Sequence, residues 1–262
     1  MSSSEIDEYF KEDEIKPKLK KNIYGDRIIN YAIVESGDKP LVIFLHGAPG
    51  SLSAFIDYLK NRELQQSVNM ISVDRPGYGY SNFGKEETSL QAQAFYIAEL
   101  IKEYKKGNSV ILVGHSLGGP IAAKVVMQYP GLVQGLIIVA GSIDPEQEKE
   151  EWYRPLGRGL VGKIFLPNSF WVTNEEIYHL KNELEMIFPY WKDIQIPVTV
   201  IHGLDDNLVP KENAEFAQKM ISPEYLDVWL EEGVNHFIPW NRSDLINSAI
   251  QLHTSQGDWR RH

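Results

Sequence analysis

The sequence predicts an α/β protein: a mostly parallel central sheet with helices on both faces and one inserted helical segment. Three observations carry this. Leu41–Leu45 (LVIFL), Val110–Val113 (VILV) and Leu136–Ala140 (LIIVA) are apolar without a break, as in strands covered on both faces; a strand with one wet face alternates instead. Segments of helical periodicity lie between these runs, and strands that alternate with helices are joined by crossovers into a parallel, layered sheet. The alternation stops once, over residues 145–193, where aromatics are dense.

Taken in order, residues 1–22 read as a polar lead-in with a short helix around Ile6–Phe10. The basic run KPKLKK (16–21) is flanked by acids and reads as solvated. Arg27–Glu35 is an early strand ended by Ser36-Gly37-Asp38, and Leu41–Leu45 is the first fully covered one. A helix over Ser53–Leu64 leads to a strand at Val68–Val73. Thr88–Tyr104 is an amphipathic helix in which Thr88 and Gln91 fit a capping box. The Val110–Val113 strand is followed by a helix over Pro120–Tyr129 and then by the Leu136–Ala140 strand.

Within the insertion, Thr173 and Glu176 fit a second capping box, opening a helix with Ile177, Leu180, Leu184, Ile187, Phe188 and Trp191 on one face. The sheet pattern resumes at Pro197–Ile201 (PVTVI). A helix over Pro210–Met220, a strand over Tyr225–Leu230, a helix over Ser243–Leu252 and a frayed tail complete the chain. The expected organisation is a core of residues 1–144 and 194–262 with an insertion at 145–193. A chain of 262 residues can hold that in one domain.

Composition narrows the partners. A formal net charge of −10 argues against nucleic acid, which is bound through clustered Lys and Arg. Without cysteine there is no disulfide, thiolate metal site or cysteine nucleophile. No His, Asp and Glu cluster has metal-ligand spacing apart from the catalytic candidates below, so no metal or cofactor is expected. The N-terminus lacks the basic start and apolar stretch of a signal peptide, and no run approaches a membrane span. The expectation is a soluble, cytoplasmic protein, taking Met1 as its start.

The chemistry centres on VILVGHSLGG (110–119). Gly114-His115-Ser116-Leu117-Gly118 is G-x-S-x-G between a strand and a helix, the context in which a sharp turn exposes the serine at a helix N-terminus. The following amides and the helix dipole favour negative charge there. A serine hydroxyl needs a base, and the base needs a group to hold it. Of seven histidines, His236 lies on a loop between the last strand and the last helix, at the sheet's carboxyl edge, where ligands bind. Asp206 lies on another such loop, in H-G-x-x-D-x-x-V-P (202–210). Asp205 beside it and Asp144 after the Leu136–Ala140 strand are rival acids. Asp74 and Arg75 read as turn-locking residues beside Gly77 and Gly79.

Five segments, HGAPG (46–50), DRPGYGYS (74–81), GHSLGG (114–119), HGLDDNLVP (202–210) and VNHFI (234–238), together resemble the α/β-hydrolase fold superfamily, in family order from Leu41 to Leu252. The resemblance implies Ser116 as nucleophile, Asp206 as acid and His236 as base. It implies the backbone N–H groups of Ala48 and Leu117 as an oxyanion hole, and residues 145–193 as a cap. The implied activity is hydrolysis of a small or medium acyl substrate, foremost by a carboxylesterase. Prolyl-iminopeptidase-like, lactonase, thioesterase, carbon–carbon hydrolase and perhydrolase reactions use the same triad, while a serine at the elbow argues against the aspartate-dependent epoxide hydrolases and dehalogenases. A ligand receptor on the same fold is the reading of another class. The cap aromatics suggest an apolar pocket, with Trp152, Phe165, Trp171 and Phe188 as candidate lining residues.

Overall fold

The computed structural model describes residues 1–149, 154–255 and 259–260. Eight strands form one sheet: β1 (Lys18–Tyr24), β2 (Arg27–Val34), β3 (Leu41–Leu45), β4 (Asn69–Val73), β5 (Val110–His115), β6 (Gly135–Val139), β7 (Val198–Gly203) and β8 (Leu226–Glu231). Their spatial order is β1-β2-β4-β3-β5-β6-β7-β8. The β1–β2 and β2–β4 pairs are antiparallel, and every later pair is parallel.

All residues of β3, β4, β5 and β6 are buried, which explains the unbroken apolar runs at Leu41–Leu45, Val110–Val113 and Leu136–Val139; β4 buries Asn69 and Ser72 as well. Successive side chains on a strand point to opposite faces, and here they enter two cores. Leu41, Ile43, Leu45, Val110 and Leu112 join the core roofed by the Leu90–Tyr104, Gly118–Gln128 and Glu212–Met220 helices. Val42, Phe44, Ile111 and Val113 join the core under the 52–67 segment and the Ser243–Thr254 helix. Ile6 and Phe10 of the N-terminal helix (Ser3–Tyr9 and its cap) close this second core.

The register brings the carboxyl ends of the central strands together. Leu45 pairs with Gly114, His115 with Val139, and Gly203 with Glu231. Loops 46–48, 116–117, 204–209 and 232–236 therefore share one edge.

Four expectations are corrected. The polar lead-in contains β1, paired with β2 over its whole length. Its residues are exposed or half-buried, so no apolar run announces it; lysines on an edge strand also discourage pairing with a foreign sheet. The single helix expected over 53–64 is three short pieces, broken at Asn61, whose side chain accepts from the Glu63 and Leu64 amides and starts a new helix, Arg62–Ser67. The cap of the Leu90–Tyr104 helix is Ser89, not Thr88. Finally, Thr173 and Glu176 do not open a helix: the Asn168–Ile187 helix starts five residues before Thr173, and both lie buried inside it. Between β6 and β7 this helix is accompanied by the shorter Gly159–Phe165 helix and by 3-10 turns at Pro145–Gln147, Arg154–Gly157 and Phe188–Asp193. Leu180, Leu184, Ile187 and Trp191 seat the segment on the first core. Among the described residues no helix is long and apolar enough to cross a membrane.

Candidate functional site

Ser116 follows β5 with φ of +53°, in the left-handed region that side-chain-bearing residues rarely adopt. The backbone around it maintains this. Ser116 N–H donates to the Val139 carbonyl at 2.9 Å, and the Ser116 carbonyl accepts from the Gly119 and Ser142 amides at 2.9 and 3.3 Å. The turn is packed backbone on backbone. A Cβ on Gly114 would lie 2.4 Å from the Gly118 oxygen, and one on Gly118 only 2.2 Å from the Leu45 oxygen. One on Gly47 would meet the Ser116 Cβ at 2.8 Å. Glycine at these positions follows from the close approach.

His236 stands on the loop after β8, with Nδ1 2.7 Å from Asp206 Oδ2. The Asp206 side chain is fully buried. Its Oδ1 accepts from the Leu208 and Val209 amides at 2.9 and 2.8 Å, which fixes the carboxylate plane. Burial works to raise its pKa, but the His236 bond and the two amides outweigh burial and hold it below the usual carboxylate range. An ionised Asp206 can only accept, so Nδ1 of His236 carries the proton and Nε2 is left as a base.

Three further histidines adjoin these loops, and each braces one of them as a neutral ring. His115 Nε2 donates to the His236 carbonyl at 3.0 Å. Burial first, and the neighbouring His236 second, push the His115 pKa down to about 3. His202 Nε2 donates to the Val209 carbonyl at 3.0 Å and steadies the Asp206 loop; burial lowers its pKa too. His46 accepts the Arg75 amide at Nε2 (3.0 Å) and donates from Nδ1 to the Gly47 carbonyl (2.6 Å). These roles were not apparent in sequence; their signal is a histidine at or just past a strand's carboxyl end.

Among the described residues neither rival acid bonds to His236, whose Nδ1 is taken by Asp206. Asp144 caps the Pro145–Gln147 turn, its Oδ1 accepting the Glu146 amide at 3.0 Å. Asp205 is exposed. Asp74 is buried and accepts from the Leu52 and Tyr80 amides and the Asn30 side chain, locking the turn after β4.

Ser116, His236, Ala48 and Leu117 line one cavity of about 450 Å³. Among the described residues, neither the Ala48 nor the Leu117 amide is taken by another protein group. The lining also takes in Ile177 and Leu180 of the long helix, together with Gln147, Glu148, Lys149 and Arg154. The four aromatics expected there are not among its lining residues. Trp171 is buried against Tyr78 and Val172. Phe165 is 80% exposed, and Phe188 packs on Phe216 with ring centroids 5.8 Å apart. Trp152 lies outside the described residues. The helix turns aliphatic residues to Ser116, while its aromatics serve packing or face water. Among the described residues no group of three or more His, Asp and Glu side chains could hold a metal ion.

Comparison with known proteins agrees with this architecture. A model of the alpha/beta hydrolase fold family matches residues 40–164. The 2-(acetamidomethylene)succinate hydrolase of Mesorhizobium japonicum is 35% identical over 113 residues, 42% of this chain and 39% of that protein. The bifunctional esterase/perhydrolase of Acinetobacter calcoaceticus is 24% identical over 263 residues, 81% of this chain and 91% of that one. The crystal structure of the Paleococcus ferrophilus monoacylglycerol lipase superposes with a TM-score of 0.72 at 16% identity, covering 87% of this chain and 99% of the lipase. That is a likeness of fold. The chain spans less than two fifths of the length of the first curated relatives it matches.

Proposed function

We propose that this chain, which belongs to the α/β-hydrolase fold superfamily, is a serine hydrolase that cleaves esters of small or medium acyl groups. Ser116 Oγ attacks the ester carbonyl while Nε2 of His236 takes its proton. Asp206 keeps the imidazole in the required tautomer and stabilises the imidazolium. The carbonyl oxygen becomes negative as the carbon turns tetrahedral, and the Ala48 and Leu117 amides donate to it; donors so placed are each worth about 3–4 kcal/mol. The imidazolium returns its proton to the departing alcohol, leaving an acyl-enzyme. A water molecule, deprotonated by His236, then releases the acid and restores Ser116.

The observation that carries the reading is the 2.7 Å His236–Asp206 bond on the cavity that also holds the strained Ser116. A binding protein has no need of that tautomer or of that backbone strain. The cavity is of the size that holds small molecules, and the helical segment between β6 and β7 is its cap. Two cations, Lys149 and Arg154, against the one carboxylate of Glu148 on the wall favour a second, narrower reading in which the acyl group bears a carboxylate.

The test is labelling by a fluorophosphonate probe together with nitrophenyl esters of neutral and carboxylate-bearing acids. Labelling lost in Ser116→Ala, with ester turnover in the parent, supports the hydrolase. A parent that neither labels nor turns over any ester removes it in favour of a ligand receptor. The two ester series separate the broader from the narrower reading.

A further inference from the structure

Arg75, in the turn after β4, is 1% exposed, and its guanidinium spends all five N–H donors. Nε donates to the His46 carbonyl at 2.8 Å and Nη2 to the Gly47 carbonyl at 3.1 Å. The other three go to Gln93 Oε1 (3.0 Å) and to both oxygens of Glu176 (2.6 and 3.2 Å). Glu176 comes from the long helix of the cap. Its carboxylate is filled in turn, by Arg75, by Gln93 Nε2 at 3.0 Å and by the Tyr78 hydroxyl at 2.5 Å. Thr173 Oγ1, one turn earlier, sits 3.1 Å from that hydroxyl. A buried ion pair is tolerated when every remaining donor and acceptor is met, and here they are.

The geometry points to a positioning role for Arg75, exerted on the loop that supplies the Ala48 amide. The Gly47–Ala48 peptide is trans, so its C=O and N–H lie in one plane and point in opposite directions. Its carbonyl is held from behind by two donors, Arg75 Nη2 and His46 Nδ1. Fixing the carbonyl aims the Ala48 N–H the other way, and Ala48 lines the cavity with Ser116. Arg75 is itself placed by Glu176. Docking of the cap and the aim of one oxyanion donor are therefore a single linked event: a cap displaced at Glu176 releases the guanidinium that pins Gly47. This inference rests on the hydrolase reading above.

The test uses the full-length chain with a nitrophenyl ester and a trifluoromethyl ketone, which forms a tetrahedral oxyanion on Ser116. Arg75→Lys keeps the charge but replaces a planar fork of five donors by a single ammonium nitrogen, which cannot reach the His46 and Gly47 carbonyls, Gln93 and Glu176 together. It is expected to lower kcat by about 10–100-fold with KM within about threefold, since a donor misplaced by an ångström costs on that order. Affinity for the ketone should fall by a similar factor. Glu176→Gln, of the same size, should move both quantities the same way by a smaller factor, and it keeps the test open if Arg75→Lys does not fold. A merely structural ion pair would lower the melting temperature and leave kcat and ketone affinity of the folded variants at parental values; that result overturns the positioning role. A parent that takes no fluorophosphonate label instead removes the hydrolase reading, and this inference with it.

Discussion

Replacing Asp206 by asparagine should be far more damaging than the change of one atom suggests, and the structure says why. Oδ1 of Asp206 is held by two backbone amides, Leu208 and Val209, which can only donate. The asparagine oxygen must take that place, so its NH2 falls where Oδ2 stood, 2.7 Å from His236 Nδ1. Two donors cannot share a hydrogen bond. The imidazole escapes by moving its proton to Nε2, which then cannot take the proton that the proposed mechanism draws from Ser116. The expected loss in kcat is about 10⁴-fold, the size seen when a triad histidine is forced into the wrong tautomer. At about 1.36 kcal/mol per factor of ten this is about 5.4 kcal/mol of barrier. Ester hydrolysis under saturating substrate reads it, with near-ultraviolet circular dichroism confirming that the fold persists. Folded Asp206→Asn with kcat within tenfold of the parent would refute the assignment.

Other outcomes follow from the same geometry. Asp144→Asn should leave ester turnover at the parental level, because that carboxylate caps a turn; a loss matching that of Asp206→Asn would transfer the acid role to Asp144. Gly118→Ala drives a Cβ to 2.2 Å from the Leu45 oxygen, so it should destabilise by the upper end of about 1–3 kcal/mol, read as a lower urea midpoint; an unchanged midpoint would mean that the turn can open. Acid should weaken the fold well above the carboxylate range. Burial pushes His115 and His253 down to about 3 and about 4, whereas the unfolded chain titrates them near 6.5. Their stabilising contribution is complete above pH 6.5 and drains as pH falls toward 4, each by about 1.4 kcal/mol per pH unit. Urea midpoints measured from pH 7 to pH 4 should slope accordingly, and a flat profile would contradict burial of the neutral rings.

The parts legible in sequence were those for which one residue type answers one physical demand. Strands covered on both faces must be apolar throughout, so Leu41–Leu45 reads off directly with the bounds the structure has. The edge strand β1 meets no such demand, because none of its residues is fully buried, and it passes for a solvated lead-in. The turn at Ser116 is written in glycines because backbone lies within contact of backbone. Asp206 and His236 read as neighbours of one sheet edge, but their 2.7 Å bond depends on loop paths that no local pattern encodes. Glu176 misleads for a similar reason. Three residues after Thr173 it looks like a cap, whereas a partner 101 positions away in the chain claims its carboxylate. The aromatics of residues 145–193 mark a break in the strand–helix alternation, but their identity does not say which faces point to the cavity and which to the core or solvent.

The cavity joins two regions with opposite tolerance for change. Its floor, Ala48 and Ser116, rests on glycines that admit no added atom: at Gly47, Gly114 and Gly118 even a methyl group collides. Its roof is made of side chains on a separate helix, where half-buried Ile177 offers more room for exchange than Leu180, which also packs in the first core. A laboratory seeking new substrates would recast the roof and leave the floor alone. One neighbour of the roof is off limits. Glu176, beside Ile177, is bonded to Arg75 and so to the loop that forms the floor, and a library that varies it would trade selectivity against chemistry in the same step.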